Sequence, residues 1–202
     1  GEDGEVKIWD FNSLTRKPKP NHIVDLGEEG NYPILSVSWC PTGGFFLACT
    51  GDNPAKIISR EGIEEISCVA VDRFIVDIRY TKGHTYGIRD GKWHPLEKNI
   101  FITSSVDSTI RLWDIYSKQV GIDSNISQKN IFKAKTTKNK KIPINSCNFS
   151  KDGKLIAAGV DDGSIQIFTI KSFYPQIYIP KAHENPCEIT SIIFNENGYN
   201  FY

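Results

Sequence analysis

The chain has 202 residues, 39% hydrophobic and 24% charged, and its 24 Lys and Arg balance its 24 Asp and Glu. That length allows a sizeable core, and the zero net charge excludes a global field favouring nucleic acid or an anionic membrane, so any such binding must be local. No apolar run reaches membrane-span length, no signal-peptide pattern opens the chain, and Cys40, Cys49, Cys68, Cys147 and Cys187 are odd in number without a CxxC pair; metal and disulfide readings fail on spacing, leaving reduced intracellular thiols as small buried hydrophobes.

There is no Met, and the opening GEDGEVKIWD is a hairpin turn followed by an alternating strand. A fragment with its native start upstream is therefore expected. SLTRKPKPN then reads as a proline-interrupted, basic exposed loop, and His22 to Leu26 as an outer strand. ILSVSWCPTGG (34 to 44) is an alternating strand, an aromatic and a turn, with Phe45 to Ala48 as the next strand. TGDNPAKIIS repeats the opening turn and strand. Residues 72 to 82 read as an extended loop with one apolar segment tucked down.

GIRDGKWHP (87 to 95) restarts the alternation, Ile100 to Ser104 is the next apolar run, and SVDSTIRLWD follows across a tight turn at Val106-Asp107-Ser108. Within it, Ile110 and Leu112 fall on one face of a strand, Arg111 and Trp113 on the other. SKQVGIDSNISQKN reads as a flexible loop before an outer strand from Asn130 to Lys135. INSCNFSKDGK (144 to 154), VDDGSIQIFT and ITSIIFNENGY (189 to 199) continue the series.

The turn aspartates Asp3, Asp52, Asp107 and Asp162 recur at spacings of 49, 55 and 55, each six residues before Trp9, Ile58, Trp113 or Phe168. Trp39, Trp93, Phe149 and Phe194 close the inner strands at spacings of 54, 56 and 45. Such an internal repeat of inner, middle, third and outer strands is one four-stranded blade. The expected architecture is all-β, a partial β-propeller in a single segment over 1–202. Its blades are part of blade 1 at 1–33, then 34–82, 83–140 and 141–182, and part of blade 5 at 183–202. An arc this size leaves an unpaired face, so more blades are expected in the parent, and self-association in the isolated fragment.

No GxSxG, Walker loop, HExxH or GxGxxG occurs, so no catalytic residues, metal, cofactor or small-molecule substrate are expected. Of the four histidines, His84 and His183 precede inner strands and His94 follows one, which favours structural roles. The sharpest charged feature is KAKTTKNKK, with Lys133, Lys135, Lys138, Lys140 and Lys141 and no acid. It reads as a solvated loop or as a strip for phosphate or an acidic partner, on the face opposite Arg16, Lys17 and Lys19.

Gly83-His84 and Trp113-Asp114, bounding one unit, resemble the signature of a WD repeat. That resemblance implies a hydrogen-bond relay from the indole of Trp113 through the hydroxyl of Thr103 and the imidazole of His84 to the carboxylate of Asp107. In the next unit Ala158 and Phe168 replace the hydroxyl and the indole, so that blade is expected to be held by packing alone. FIVDIRYTKGHT (74 to 85), GKWHP (91 to 95), the run from Lys140 to Phe168 and KAHE (181 to 184) are similar to the gastrulation-defective-type WD-repeat family. The resemblance implies an intracellular, nuclear, non-catalytic protein-interaction scaffold, linked to the DNA-damage response through a cullin-RING ubiquitin ligase and to pre-mRNA splicing complexes. The Trp-Asp-x-Arg motif of propeller ligase receptors is absent, since Trp113-Asp114 is followed by Ile115-Tyr116 and Trp9-Asp10 by Phe11-Asn12. The alternative is an RNA- or DNA-associating module using loop 133–141.

Overall fold

The computed structural model describes residues 2–13, 18–26, 32–51, 54–69, 77, 80–118, 125–136, 141–182 and 187–195. These form antiparallel sheets and, among the described residues, no α-helix. β1 (Glu5–Ile8) pairs with β2 (His22–Asp25). The next sheet orders β3 (Ile34–Trp39), β4 (Phe45–Thr50), β5 (Lys56–Ser59) and β6 (Glu64–Ser67) side by side in chain order. The same meander recurs in β7 (Ile88–Trp93), β8 (Ile100–Ser105), β9 (Thr109–Lys118) and β10 (Ile126–Lys133), and again in β11 (Ile144–Phe149), β12 (Leu155–Val160), β13 (Ile165–Thr169) and β14 (Ile177–Ile179). β7 packs between β3 and β11. The three inner strands thus lie against one another, the arrangement of blades in a partial propeller, and a parallel bridge from Cys68 to Ile126 links the outer edges of the second and third sheets.

Side-chain alternation builds the core between successive sheets. On β9, Ile110 and Leu112 face Ile144, Cys147, Ile156 and Phe168 of the following sheet. Trp113, one residue on, faces Leu47, Cys49 and Ile57 of the preceding one. β4 divides the same way, Leu47 and Cys49 toward β7 and Phe46 and Ala48 toward Val24 of β2. Because successive residues point to opposite faces, each middle strand serves two interfaces and reads as a continuous apolar run. Fully burying one such aliphatic or aromatic side chain stabilises by about 1.5–3 kcal/mol. The close approach of β7 to β4 depends on Gly91, where a Cβ would lie 2.6 Å from Cys49 Sγ and from Leu47.

Some elements depart from expectation. β10 starts at Ile126, inside the stretch read as a loop, because Ile126 is fully buried against the core containing Trp113. Residues 189–193 form no strand; Ile189 N donates to Val160 O, and Ile189 and Ile192 pack on Ala157 and Ile165. The strand expected to pair with them falls in 196–202, outside the described residues, as do most of 72–82, Asp52 and His183.

Candidate functional site

The β8–β9 hairpin and the segment entering β7 enclose a wholly buried polar chain. Trp113 Nε1 donates to Thr103 Oγ1 at 2.8 Å, Thr103 Oγ1 lies 2.8 Å from His84 Nε2, and His84 Nδ1 lies 3.0 Å from Asp107 Oδ2. His84, Thr103, Asp107 and Trp113 are each 0% exposed. With the indole and the Asp107 carboxylate fixing the two ends, protons fall in one order. Thr103 accepts from the indole and donates to His84 Nε2, and His84 Nδ1 donates to Asp107. Asp107 also accepts from Thr85 N at 3.0 Å, from Thr109 N at 2.9 Å and from the Thr109 hydroxyl.

Burial lowers the His84 pKa, outweighing the pull of Asp107, so the imidazole is neutral at pH 7. Burial opposes the charge on Asp107 too, but the His84 N–H, the Arg111 guanidinium and the Thr109 hydroxyl hold its carboxyl well below the usual range.

Arg111 was not singled out from sequence, yet it is as buried as the relay. Its Nη2 lies 3.7 Å from Asp107 Oδ2 and donates to Thr81 Oγ1 at 2.8 Å, while Nη1 donates to Gln128 Oε1 and Thr81 O. Burial pushes its pKa down to about 10, leaving it charged. It balances Asp107 and ties the approach to β7 onto β9. Parity was the available signal, since Arg111 shares a face with Trp113.

Asp90 is a second residue that sequence reasoning missed. Its Oδ1 accepts from Ser36 Oγ at 2.6 Å and Gly91 N at 2.8 Å, its Oδ2 from Cys147 N at 3.2 Å, and Lys92 Nζ lies 3.1 Å away. One carboxylate thus joins β3, β7 and β11 at the inner wall, beside an open groove of about 370 Å³ whose lining includes Arg89, Asn145 and Glu188. His94 joins two blades as well. Its Nδ1 accepts from Leu96 N and Glu97 N, so Nε2 carries the proton toward Gly153 O at 3.2 Å, and its ring meets Phe149 edge-on at 4.8 Å.

The other turn aspartates do less. Asp3 is exposed, accepting from Glu5 N and pairing with Lys7, and Asp162 accepts from Ser164 N at 3.0 Å. In that last sheet the expectation of packing alone is corrected by Gln166. Buried four residues after Asp162, as Arg111 is after Asp107, its amide accepts from Lys135 N at 2.8 Å and donates to Lys135 O at 2.9 Å. An apolar residue there would strand two backbone groups.

Of the lysine run, Lys133 N donates to Phe173 O, Lys135 Nζ lies 5.5 Å over the Tyr178 ring and Lys141 Nζ 4.7 Å over the Tyr86 ring; Lys138 and Lys140 are outside the described residues. Cys40, Cys49, Cys68 and Cys147 are buried, and burial raises the thiol pKa of the last three well above its ordinary value; Cys187 is exposed. Among the described residues no helix is long and apolar enough to cross a membrane.

Residues 76–114 match the family described as WD domain, G-beta repeat, and 122–197 match the anaphase-promoting complex subunit 4 WD40 domain. Repeat and fold together define the class, a segment of a WD-repeat β-propeller. Proteins built from such repeats are in general interaction scaffolds without catalysis. The chain is homologous over most of its length to WD repeat-containing protein 70 and to a gastrulation defective protein 1 homolog. It is 34% identical to the Homo sapiens WD repeat-containing protein 70 over 193 residues, which is 95% of this chain and 28% of the relative. Identity to the Rattus norvegicus protein of that name is 34% over 196 residues, 96% and 28% of the two chains. For the Drosophila melanogaster gastrulation defective protein 1 homolog it is 34% over 198 residues, 97% and 29%. The chain therefore spans under a third of the length of these relatives.

Proposed function

We propose that this segment is a rigid, non-catalytic platform for protein partners in a nuclear multiprotein complex. The blades at 34–82, 83–140 and 141–182 act as one unit that presents loops on its two faces. One observation carries this reading. The polar residues that could resemble catalytic groups are consumed internally: both ring nitrogens of His84 are engaged, Asp107 and Arg111 neutralise each other, and Asp90 is spent joining three strands. Resemblance to the gastrulation-defective-type family supports a place beside a cullin-RING ligase in the DNA-damage response or in pre-mRNA splicing. A ligase contact through Asp114 would need rearrangement, because that side chain accepts from Asn99 Nδ2 and Tyr116 N and pairs with Lys129.

The test is affinity purification of the full-length protein from nuclear extract, with mass spectrometry of what is retained. Ligase or spliceosomal subunits are expected at near-equal amounts. Recovery of no nuclear protein above an unrelated propeller, or a turnover abolished by one polar substitution, overturns the platform.

A further inference from the structure

Three inner strands carry the same irregularity, two residues opposing one on the neighbouring middle strand. Ile34 pairs with Thr50 and Ser36 with Cys49, Ile88 with Ser105 and Asp90 with Ser104, Ile144 with Val160 and Ser146 with Gly159. Leu35, Arg89 and Asn145 are therefore the extra residues of three successive β-bulges. A bulge takes one residue out of the ladder and re-aims its side chain. All three residues line the open groove of about 370 Å³ at the inner wall.

The wall behind them is fixed. Ser36 Oγ donates to Asp90 Oδ1 and Asp90 Oδ2 accepts from Cys147 N, so the strands bearing the three bulges are held at a set spacing.

The charges at the groove do not all pair. Lys92 neutralises Asp90 at 3.1 Å, and Asn145 Nδ2 donates to Asp161 at 3.1 Å and Glu188 at 3.4 Å. Arg89 is exposed and has no ion pair or side-chain hydrogen bond among the described residues. Leu35 beside it is 41% exposed.

We infer that this groove seats an extended acidic segment of a protein partner, one carboxylate on the Arg89 guanidinium and a neighbouring apolar side chain on Leu35. The inference rests on the platform reading and assigns it one surface. Leu35, Arg89 and Asn145 follow one another across β3, β7 and β11, so an occupant that crosses them is a stretch of chain rather than a single group. The planar fork of an uncommitted arginine meets a carboxylate with two parallel hydrogen bonds. A single negative charge is what one free cation balances. A phosphoryl group brings about −1.5 to −2 at neutral pH, and its surplus would lie beside Glu188.

Fluorescence anisotropy of the whole chain with labelled Gly-Leu-Glu-Leu-Gly, beside its Gln and phosphoserine counterparts, tests this. The Glu peptide is expected to bind at least about tenfold more tightly than the Gln peptide, the size of one charge-assisted pair. Arg89→Gln should erase that preference with an unchanged melting temperature. Arg89→Lys should restore part of it, since the charge returns without the fork. Leu35→Ser should weaken both peptides alike. Equal binding of the Glu and Gln peptides, no saturable binding of either, or an undiminished preference in Arg89→Gln overturns the site. So does an equal loss in Arg60→Gln, another exposed arginine without an ion pair among the described residues, which lines a different groove. Tighter binding of the phosphoserine peptide rejects the carboxylate reading in favour of phosphopeptides. In each of these cases, nuclear partners still retained by Arg89→Gln would leave the platform standing while this surface falls.

Discussion

The β7–β10 and β11–β14 sheets run the same register and fill the same positions with different chemistry. Thr103, Asp107, Arg111 and Trp113 of the first stand where Ala158, Asp162, Gln166 and Phe168 stand in the second. In the first, a hydroxyl, an imidazole, a carboxylate, a guanidinium and an indole satisfy one another out of water. In the second, Phe168 packs edge-on against Phe132 at 5.8 Å and Ala158 is sealed beneath it. The backbone accepts either filling. What differs is interdependence: dispersion contacts fail one at a time, whereas removing one member of a closed polar set exposes the desolvation cost of the rest.

The hardest test of that contrast is at the turn. Asp107→Ala leaves the Arg111 guanidinium buried without its counter-charge and the His84 N–H without its carboxylate acceptor, a loss expected at about 3–5 kcal/mol. Asp162→Ala, at a half-buried position with one backbone partner, should cost about 1 kcal/mol. Urea unfolding of both variants decides, and equal midpoints would erase the difference between the sheets. Gln166→Leu comes next, because it strands Lys135 N and O; a cost of about 1–3 kcal/mol is expected, with faster amide exchange at Lys135. A neutral outcome would restore packing as the sole support of the last sheet.

Those two positions also mark where sequence reading stopped. Turn aspartates, closing aromatics and strand alternation are local, so the sheets and the two faces of β9 are legible from spacing alone. The relay positions needed resemblance, because nothing local shows that His84 meets a threonine 19 residues on. Arg111 and Gln166 had the right parity but long polar side chains, which ordinarily read as solvent-facing on a strand. Their partners lie 30 and 31 residues away in connecting segments. Asp90 was invisible for the same reason, its contacts to Ser36 and Cys147 being 54 and 57 residues distant. The first half of β10 reads as a loop because Ser, Gln, Lys and Asn dominate it, while the single buried Ile126 anchors that half.

Acidity probes the relay at a smaller scale. Folding keeps His84 neutral by lowering its pKa from 6.5, so below that value the unfolded chain binds the proton that the fold refuses. This contribution to stability is complete above pH 6.5 and is lost as the pH falls through it, with a slope of at most about 1.4 kcal/mol per pH unit. Asp107, whose pKa is depressed, adds its own loss only below 3.8. Thermal melts from neutral to mildly acidic pH should show the decline in the parent and a shallower one in His84→Asn. Parallel curves would mean that His84 is not held neutral.

The finest discrimination is a coupling energy. His84 and Trp113 never touch by hydrogen bond, yet both depend on the Thr103 hydroxyl, one as acceptor and the other as donor. Once His84→Ala has removed the acceptor, the hydroxyl has lost its fixed orientation, and the further change Trp113→Phe should cost less than it does alone. A coupling of at least about 0.5 kcal/mol is expected from the double-mutant cycle. Trp113→Phe combined with Gln166→Leu supplies the contrast between sheets, since these side chains share no hydrogen-bond partner and their effects should add within about 0.3–0.5 kcal/mol. Additivity in both cycles would reduce the buried chain to independent pairs, and the first sheet would then differ from the second in composition alone.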